Sequence, residues 1–136
     1  MKQFFFIFTF FSTLWSMNVM AFEVDGISYD VLSESDKTAF VAHQSKDIAG
    51  DVQIPCQVSY EGTVYTVTKI GARAFYECAE LTSVRLPDNI IEIGDDAFIR
   101  CRKLKDINNH GVGSTDHVEI KNSTTVPLGT TLKIGN

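Results

Sequence analysis

VTKIGARAFYECAELTSVRLPDN, residues 67 to 89, is followed by IIEIGDDAFIRCRKLKDINNHGV, residues 90 to 112. At this 23-residue offset Ile70, Gly71, Ala74, Phe75, Cys78 and Leu81 recur as Ile93, Gly94, Ala97, Phe98, Cys101 and Leu104. Unrelated sequence of ordinary composition would give about one or two such identities. Each recurring residue is apolar or glycine, while the positions between them read as free to vary. Stacked rungs with a shared core leave this mark, because each rung buries the same side chains against its neighbour and leaves the rest to solvent.

The pattern I-G-x-x-A-F-x-x-C-x-x-L-x-x-V-x-L-P, written over residues 70 to 87, resembles the BspA-like leucine-rich repeats of bacterial and protist surface proteins. The second copy departs from it at its end, where Asn109 and His110 stand in place of Leu86 and Pro87. A partial rung, Val52-Gln53-Ile54-Pro55, aligns with Val84-Arg85-Leu86-Pro87, so the resemblance covers about residues 51 to 108. It implies a solenoid used for extracellular binding or adhesion, without catalytic machinery.

Elementary geometry accounts for the parts of the repeat. Alternation directs Val84 and Leu86 inward and Ser83 and Arg85 outward, the period of a half-buried strand. Pro87 ends the rung because it has no N–H for a neighbouring strand. Gly71 and Gly94 are expected where the backbone needs positive φ or comes very close to another segment, or else as incidental turn glycines. Ala-Phe opens a short helical or irregular convex segment in which the aromatic ring fills the interior. The expected fold is therefore mainly β: two full rungs and one partial rung.

The flanks divide the rest of the 136-residue chain. Residues 1 to 21 read as a secretory signal peptide. Lys2 gives a positive start, residues 4 to 15 are an apolar run too short to span a bilayer comfortably, and Val19-Met20-Ala21 offers a cleavage site before Phe22. No later stretch reads as a membrane span. Residues 22 to 50 are expected to form an N-terminal β cap over the exposed edge of the first rung. They contain an Asp25-Gly26 hairpin signal and a short strand at residues 38 to 42. Residues 51 to 108 carry the repeats, with a hairpin inserted at about 57 to 67. Residues 109 to 136 read as a linker and a C-terminal β tail, which either caps the last rung or begins another β module.

Removing Lys2 with the signal leaves 11 of 12 basic side chains against 17 acidic ones, and no basic stripe suited to nucleic acid or an anionic lipid surface. The dense basic run, Arg100, Arg102, Lys103 and Lys105, reads as a solvated convex side, with an anion-binding patch as its alternative. Cys56, Cys78 and Cys101 cannot all pair. Cys78 and Cys101 share a repeat position and are expected to stack as small hydrophobes, with a disulfide between them as the lesser alternative.

Chemistry is sparse. Asp95 and Asp96 with Glu92 are adjacent carboxylates on a variable segment, where surface is the commoner role. His110, Asp116, His117 and Glu119 have metal-ligand chemistry but fall in the stretch expected to be most flexible, with no pattern of supporting residues to orient them. Asn122-Ser123-Thr124 is a glycosylation acceptor in a suitable host. No cofactor, metal or catalytic site is expected. The outward strand residues Asp51, Gln53, Ser83, Arg85, Asp106 and Asn108 are instead the candidate partner-binding face of a secreted, periplasmic or cell-surface module. Its expected ligand is a protein or an extracellular-matrix component. The alternative is a secreted carbohydrate-binding or accessory domain using Tyr29, Tyr60, Tyr65 and Tyr76 as exposed aromatics, unless these rings simply border the core.

Overall fold

The computed structural model describes residues 21–109, 119–120, 126–127 and 129–133. Its strands are β1 (Ala21–Val24), β2 (Ile27–Ser33), β3 (Thr38–Val41), β4 (Ala49–Gln53), β5 (Gln57–Tyr60), β6 (Thr63–Ile70), β7 (Glu80–Leu86), β8 (Glu92–Ile93), β9 (Asp106–Asn109), β10 (Glu119–Ile120) and β11 (Thr131–Lys133). They form two sheets, one in the order β1-β2-β3-β6-β8-β10 with β5 beside β6, the other in the order β4-β7-β9-β11. Among the described residues there is no helix, and the convex segments are turns.

Parallel pairing carries the stack. Val41, Ile70, Ile93 and Ile120 are successive register partners in the first sheet, and Val52, Val84, Ile107 and Leu132 in the second. Between the sheets lies the core, where Val41, Ile70, Val84, Ile93 and Ile107 are fully buried. Burying such side chains is worth about 1.5–3 kcal/mol each, which is why these positions hold only branched aliphatic residues. Phe75 and Phe98 stack at 5.2 Å between ring centroids and 5° between planes, equivalent rings on successive rungs.

Hydrogen bonds also tie the turns together. Arg73, Phe75 and Glu77 donate their N–H groups to the carbonyls of Asp95, Ala97 and Ile99 at 2.9, 2.7 and 3.0 Å. Buried backbone groups need such partners, and turns stacked in phase supply them from one rung to the next. Gly71 and Gly94 do not adopt left-handed backbone; of the two expected reasons for glycine, close approach is the one realised. A Cβ would meet the Val41 carbonyl oxygen at 2.7 Å from Gly71 and the Ala72 nitrogen at 2.6 Å from Gly94. The left-handed residues of the turns are instead Arg73 and Glu77, and at the same offset Asp96 and Arg100, with φ between 53° and 62°.

The rung boundaries differ from the sequence reading. Thr38–Val41 pairs in parallel with β6 and so joins the stack instead of belonging only to a cap. The rung it opens reaches Val52 from Val41 in 11 residues, where Ile70 to Val84 takes 14. It lacks the repeat signature, but its backbone bonding is the same. Gln44 donates its N–H to Ala74 at 2.7 Å, just as Phe75 donates to Ala97. Gln44 therefore stands where the next rung has phenylalanine, and it is 1 % exposed. Its side-chain amide closes the end of the stack: Oε1 accepts from the Ser28 N–H at 2.9 Å, and Nε2 donates to the carbonyls of Ser28 at 2.8 Å and Ala42 at 2.7 Å.

Two hairpins flank this rung. β1 and β2 meet at Asp25-Gly26, and β5 and β6 at Glu61-Gly62; both pairs have positive φ at each residue, as a two-residue type I′ turn requires. β6 does not stop at residue 67 but continues to Ile70 as the rung strand. In the tail, β10 and β11 pair in parallel with β8 and β9, which continues both sheets. Asn109, read as the start of a linker, is the last residue of β9. Of the signal read over residues 1 to 21, all but Ala21 lies outside the described residues, as do His110, Asp116, His117 and the Asn122 acceptor.

Some of the intervening positions are not free to vary. Lys69 pairs with Glu92 at 2.6 Å, Glu77 with Arg100 at 2.6 Å and Glu80 with Lys103 at 2.6 Å, each across the 23-residue offset. Half of the basic run expected to be merely solvated is thus spent on ion pairs between rungs. Glu77 also takes Lys46 of the preceding rung at 2.5 Å. Hydrogen bonds from Lys46 and then Arg100 hold the Glu77 carboxyl down to about 2.

All three cysteines are free thiols. Cys101 donates to the Phe75 carbonyl at 2.9 Å and Cys78 to the Ser45 carbonyl at 3.5 Å, so each thiol is directed into the preceding rung. Burial pushes Cys78 up to about 11 and Cys101 up to about 12. Since the thiolate is the reactive form, these are inert packing residues.

Candidate functional site

The second sheet places the candidate residues in two rows. Asp51, Ser83 and Asp106 are register partners across β4, β7 and β9, and Thr131 of β11 extends the row. Gln53, Arg85 and Asn108 form the second row, continued in register by Lys133. Parallel strands about 4.8 Å apart make each row continuous. Thr131 and Lys133 were missed from the sequence because the tail shows no repeat signature.

Five of the six expected residues, Asp51, Gln53, Ser83, Arg85 and Asn108, line one shallow hollow of about 190 Å³ with Val52. Asp106 shares the row without lining the hollow. Asp51 organises the β4 side by accepting from Ser83 Oγ at 2.6 Å and Thr82 Oγ1 at 2.9 Å. These two bonds hold its carboxyl below the usual aspartate value. Arg85 is exposed and supplies the positive charge, while Ser83, Asp106 and Asn108 are half-buried. Asn108 Oδ1 is buried, and among the described residues it has no hydrogen-bond partner. An acceptor in that state costs about 1–3 kcal/mol, so it favours a donor brought by a ligand. The hollow thus combines a fixed anion, an exposed guanidinium and two amides, which suits hydrogen bonding to a polar surface.

The aromatic alternative loses its basis. Tyr29 is fully buried and Tyr65 is 5 % exposed. Phe22 gathers Tyr29, Tyr60 and Tyr65 at 5.7, 4.6 and 6.2 Å, so these rings fill the first end of the core, not a sugar platform. Tyr76 is half-buried and lies beneath the guanidinium groups of Arg73 and Arg100 at 5.9 and 5.7 Å. Burial, with Asp25 contributing, pushes the Tyr29 phenol up to about 12, so it stays a neutral hydroxyl.

Glu92, expected as one of three loose carboxylates, is bound to Lys69. Among the described residues no three His, Cys, Asp or Glu side chains gather into a metal-binding group. Among them also, no helix is long and apolar enough to cross a membrane.

Residues 56–124, just over half of the chain, match the family described as BspA type leucine rich repeat region (6 copies). Solved structures agree. A leucine rich cell surface protein from Faecalibacterium prausnitzii is 30% identical with a TM-score of 0.64, over 77% of this chain and 27% of that one. A leucine-rich repeat protein from Bacteroides capillosus is 25% identical with a TM-score of 0.63, over 85% of this chain and 99% of that one. A leucine-rich repeat protein from Bacteroides ovatus is 24% identical with a TM-score of 0.52, over 82% of this chain and 37% of that one, and shows the shared fold alone. No curated protein is similar enough to be matched.

Proposed function

The chain belongs to the BspA-type leucine-rich repeat family, and from that premise we propose that it is a secreted or cell-surface binding module. It holds a protein or extracellular-matrix partner on the outward face of β4, β7 and β9, without catalysis. One observation carries this reading: Asp51, Ser83, Asp106 and Gln53, Arg85, Asn108 form two unbroken polar rows over an apolar core. The inward residues are constrained by packing, so the outward ones are free to be chosen for a ligand. The neighbour described as a cell surface protein supports an exported location.

Four strands give a face about 14 Å across at 4.8 Å spacing. That is narrow beside the roughly 800 Å² per partner of a standard interface, so one chain binds in the micromolar range or relies on several copies. Arg85 is the residue to test, because arginine is enriched in binding hot spots and this one is exposed on the central strand. Arg85→Ala is expected to weaken binding to matrix proteins about tenfold, equivalent to about 1.4 kcal/mol. Arg102→Ala on the convex side is expected to bind as the parent does, with all three proteins melting alike. Equal binding by all three would remove the strand face from consideration, and turnover of a polysaccharide or peptide would overturn the non-catalytic reading.

A further inference from the structure

The two sheets end differently at the first rung. In one, β3 is covered by the β1–β2 hairpin; in the other, β4 pairs only with β7, and among the described residues no strand pairs with its far edge. Ile54 donates its N–H to the Arg85 carbonyl at 2.9 Å, so it faces β7. Successive residues of a strand alternate sides, which turns the N–H and C=O groups of Asp51 and Gln53 outward, away from β7. Such groups form a template for another strand.

Beside that edge is a second hollow, of about 200 Å³, lined by Val24, Asp25, Ile27, Tyr29, Gln53 and Pro55. The Tyr29 hydroxyl is buried, the residue as a whole being 0 % exposed, and among the described residues it has no hydrogen-bond partner. Val24 and Val52 are only partly buried against the core on either side. Open backbone groups, a hydroxyl without an acceptor and half-covered valines are together unmet needs that one kind of molecule fulfils.

We propose that the open edge of β4 takes up an extended peptide as an added strand, with one apolar side chain seated between Val24, Ile27 and Pro55. A peptide carbonyl accepts from the Tyr29 hydroxyl, and the N–H and C=O groups of Asp51 and Gln53 bond to the peptide backbone. Asp25 and Asp51 make the surroundings acidic, so basic residues flank the apolar one. Main-chain bonds supply affinity in this mode, and the pocket supplies selectivity. The edge is distinct from the outward face proposed above, and Gln53 belongs to both.

The test uses a fluorescent peptide of sequence KKELTSVRL, whose last seven residues copy β7, the strand already accepted by the other edge of β4. The parent is expected to bind it in the micromolar range, with slowed exchange of the Asp51 and Gln53 amides in the complex. Gln53→Pro removes an outward N–H and is expected to weaken binding at least tenfold. Tyr29→Phe keeps the buried ring and is expected to weaken it at least threefold. Arg85→Ala is expected to bind the peptide within twofold of the parent, whatever it does to matrix binding. If Gln53→Pro does not fold, the Tyr29→Phe result and the amide protection decide. No binding by the parent overturns the proposal. So does unchanged binding by Tyr29→Phe without protection at Asp51 and Gln53, or a loss confined to Arg85→Ala, which would assign the peptide to the strand face instead.

Discussion

The two tandem copies and the rung before them are built on the same backbone ladder but on different side chains. The copies bury phenylalanine at the centre of the turn, where Phe75 and Phe98 stack at 5.2 Å. The first rung buries Gln44 at the position with the equivalent backbone bond. An interior rung has another rung on either side and can afford a purely apolar contact. The first rung must also meet the backbone of β2, and an amide supplies both a donor and an acceptor for Ser28. Position in the stack, not membership of the repeat, decides what this site needs.

The largest expected effect breaks the copies themselves. Phe98→Ala should cost about 3–5 kcal/mol, because it removes a fully buried ring and leaves a cavity beside Phe75. Chemical denaturation of both Phe→Ala variants measures this, and an unchanged midpoint would refute the stacked core. Next comes the first rung. Gln44→Leu keeps an apolar group but takes the amide from the Ser28 N–H and the Ala42 C=O, while the Ser28 C=O keeps the Ala42 N–H; each group stranded costs about 1–3 kcal/mol. Stability like that of the parent would mean that Gln44 closes nothing.

Gly94→Ala sharpens the comparison at a point the copies share. The added methyl would lie 2.6 Å from the Ala72 backbone nitrogen, and backbone cannot yield as a flexible side chain does. Overpacking of this kind costs about 1–3 kcal/mol, to be read from thermal melting. The smallest effect concerns the ion pairs. The folded-state value of Glu77 is about 2, lowered from 4.5, so its contribution is fully present above pH 4.5 and lost as pH falls towards 2. Glu77→Gln should therefore be less stable than the parent at pH 7, by a small amount because the pairs are solvent-screened, and the difference should shrink below pH 4.5 and be mostly gone near pH 2. A difference undiminished at pH 2 would rule out the carboxylate as its source.

The central copies were legible because every residue that packs recurs at one offset. Lys69 and Glu92, Glu77 and Arg100, and Glu80 and Lys103 were written at that same offset, but opposite charges look like free variation to a comparison that counts identities. Reading them as pairs would have shown that rungs meet on the convex side as well. The first rung was largely hidden. Its turn is shorter, it lacks the Ile-Gly and Ala-Phe signature, and Gln44 is related to Phe75 only through a backbone hydrogen bond that no side-chain pattern records. The face residues were legible in part: alternation along residues 83 to 86 gave Ser83 and Arg85, and the partial rung gave Asp51 and Gln53. Tyr29 and Tyr65 stayed open between surface and core because an aromatic with a polar tip looks alike in both; the ring of Phe22 among them shows that the core is their place.

Amide hydrogen exchange at Gln44 tests most directly the claim that residues 38 to 53 form a rung of the same stack. If they do, the Gln44 N–H is held by the Ala74 carbonyl as the Phe75 N–H is by that of Ala97, and both open only when the stack unfolds. The expected result is slow exchange at both amides with the same free energy of opening. Fast exchange at Gln44 beside a protected Phe75 would contradict it, and would leave the tandem copies stacked behind a separate and loosely attached N-terminal segment.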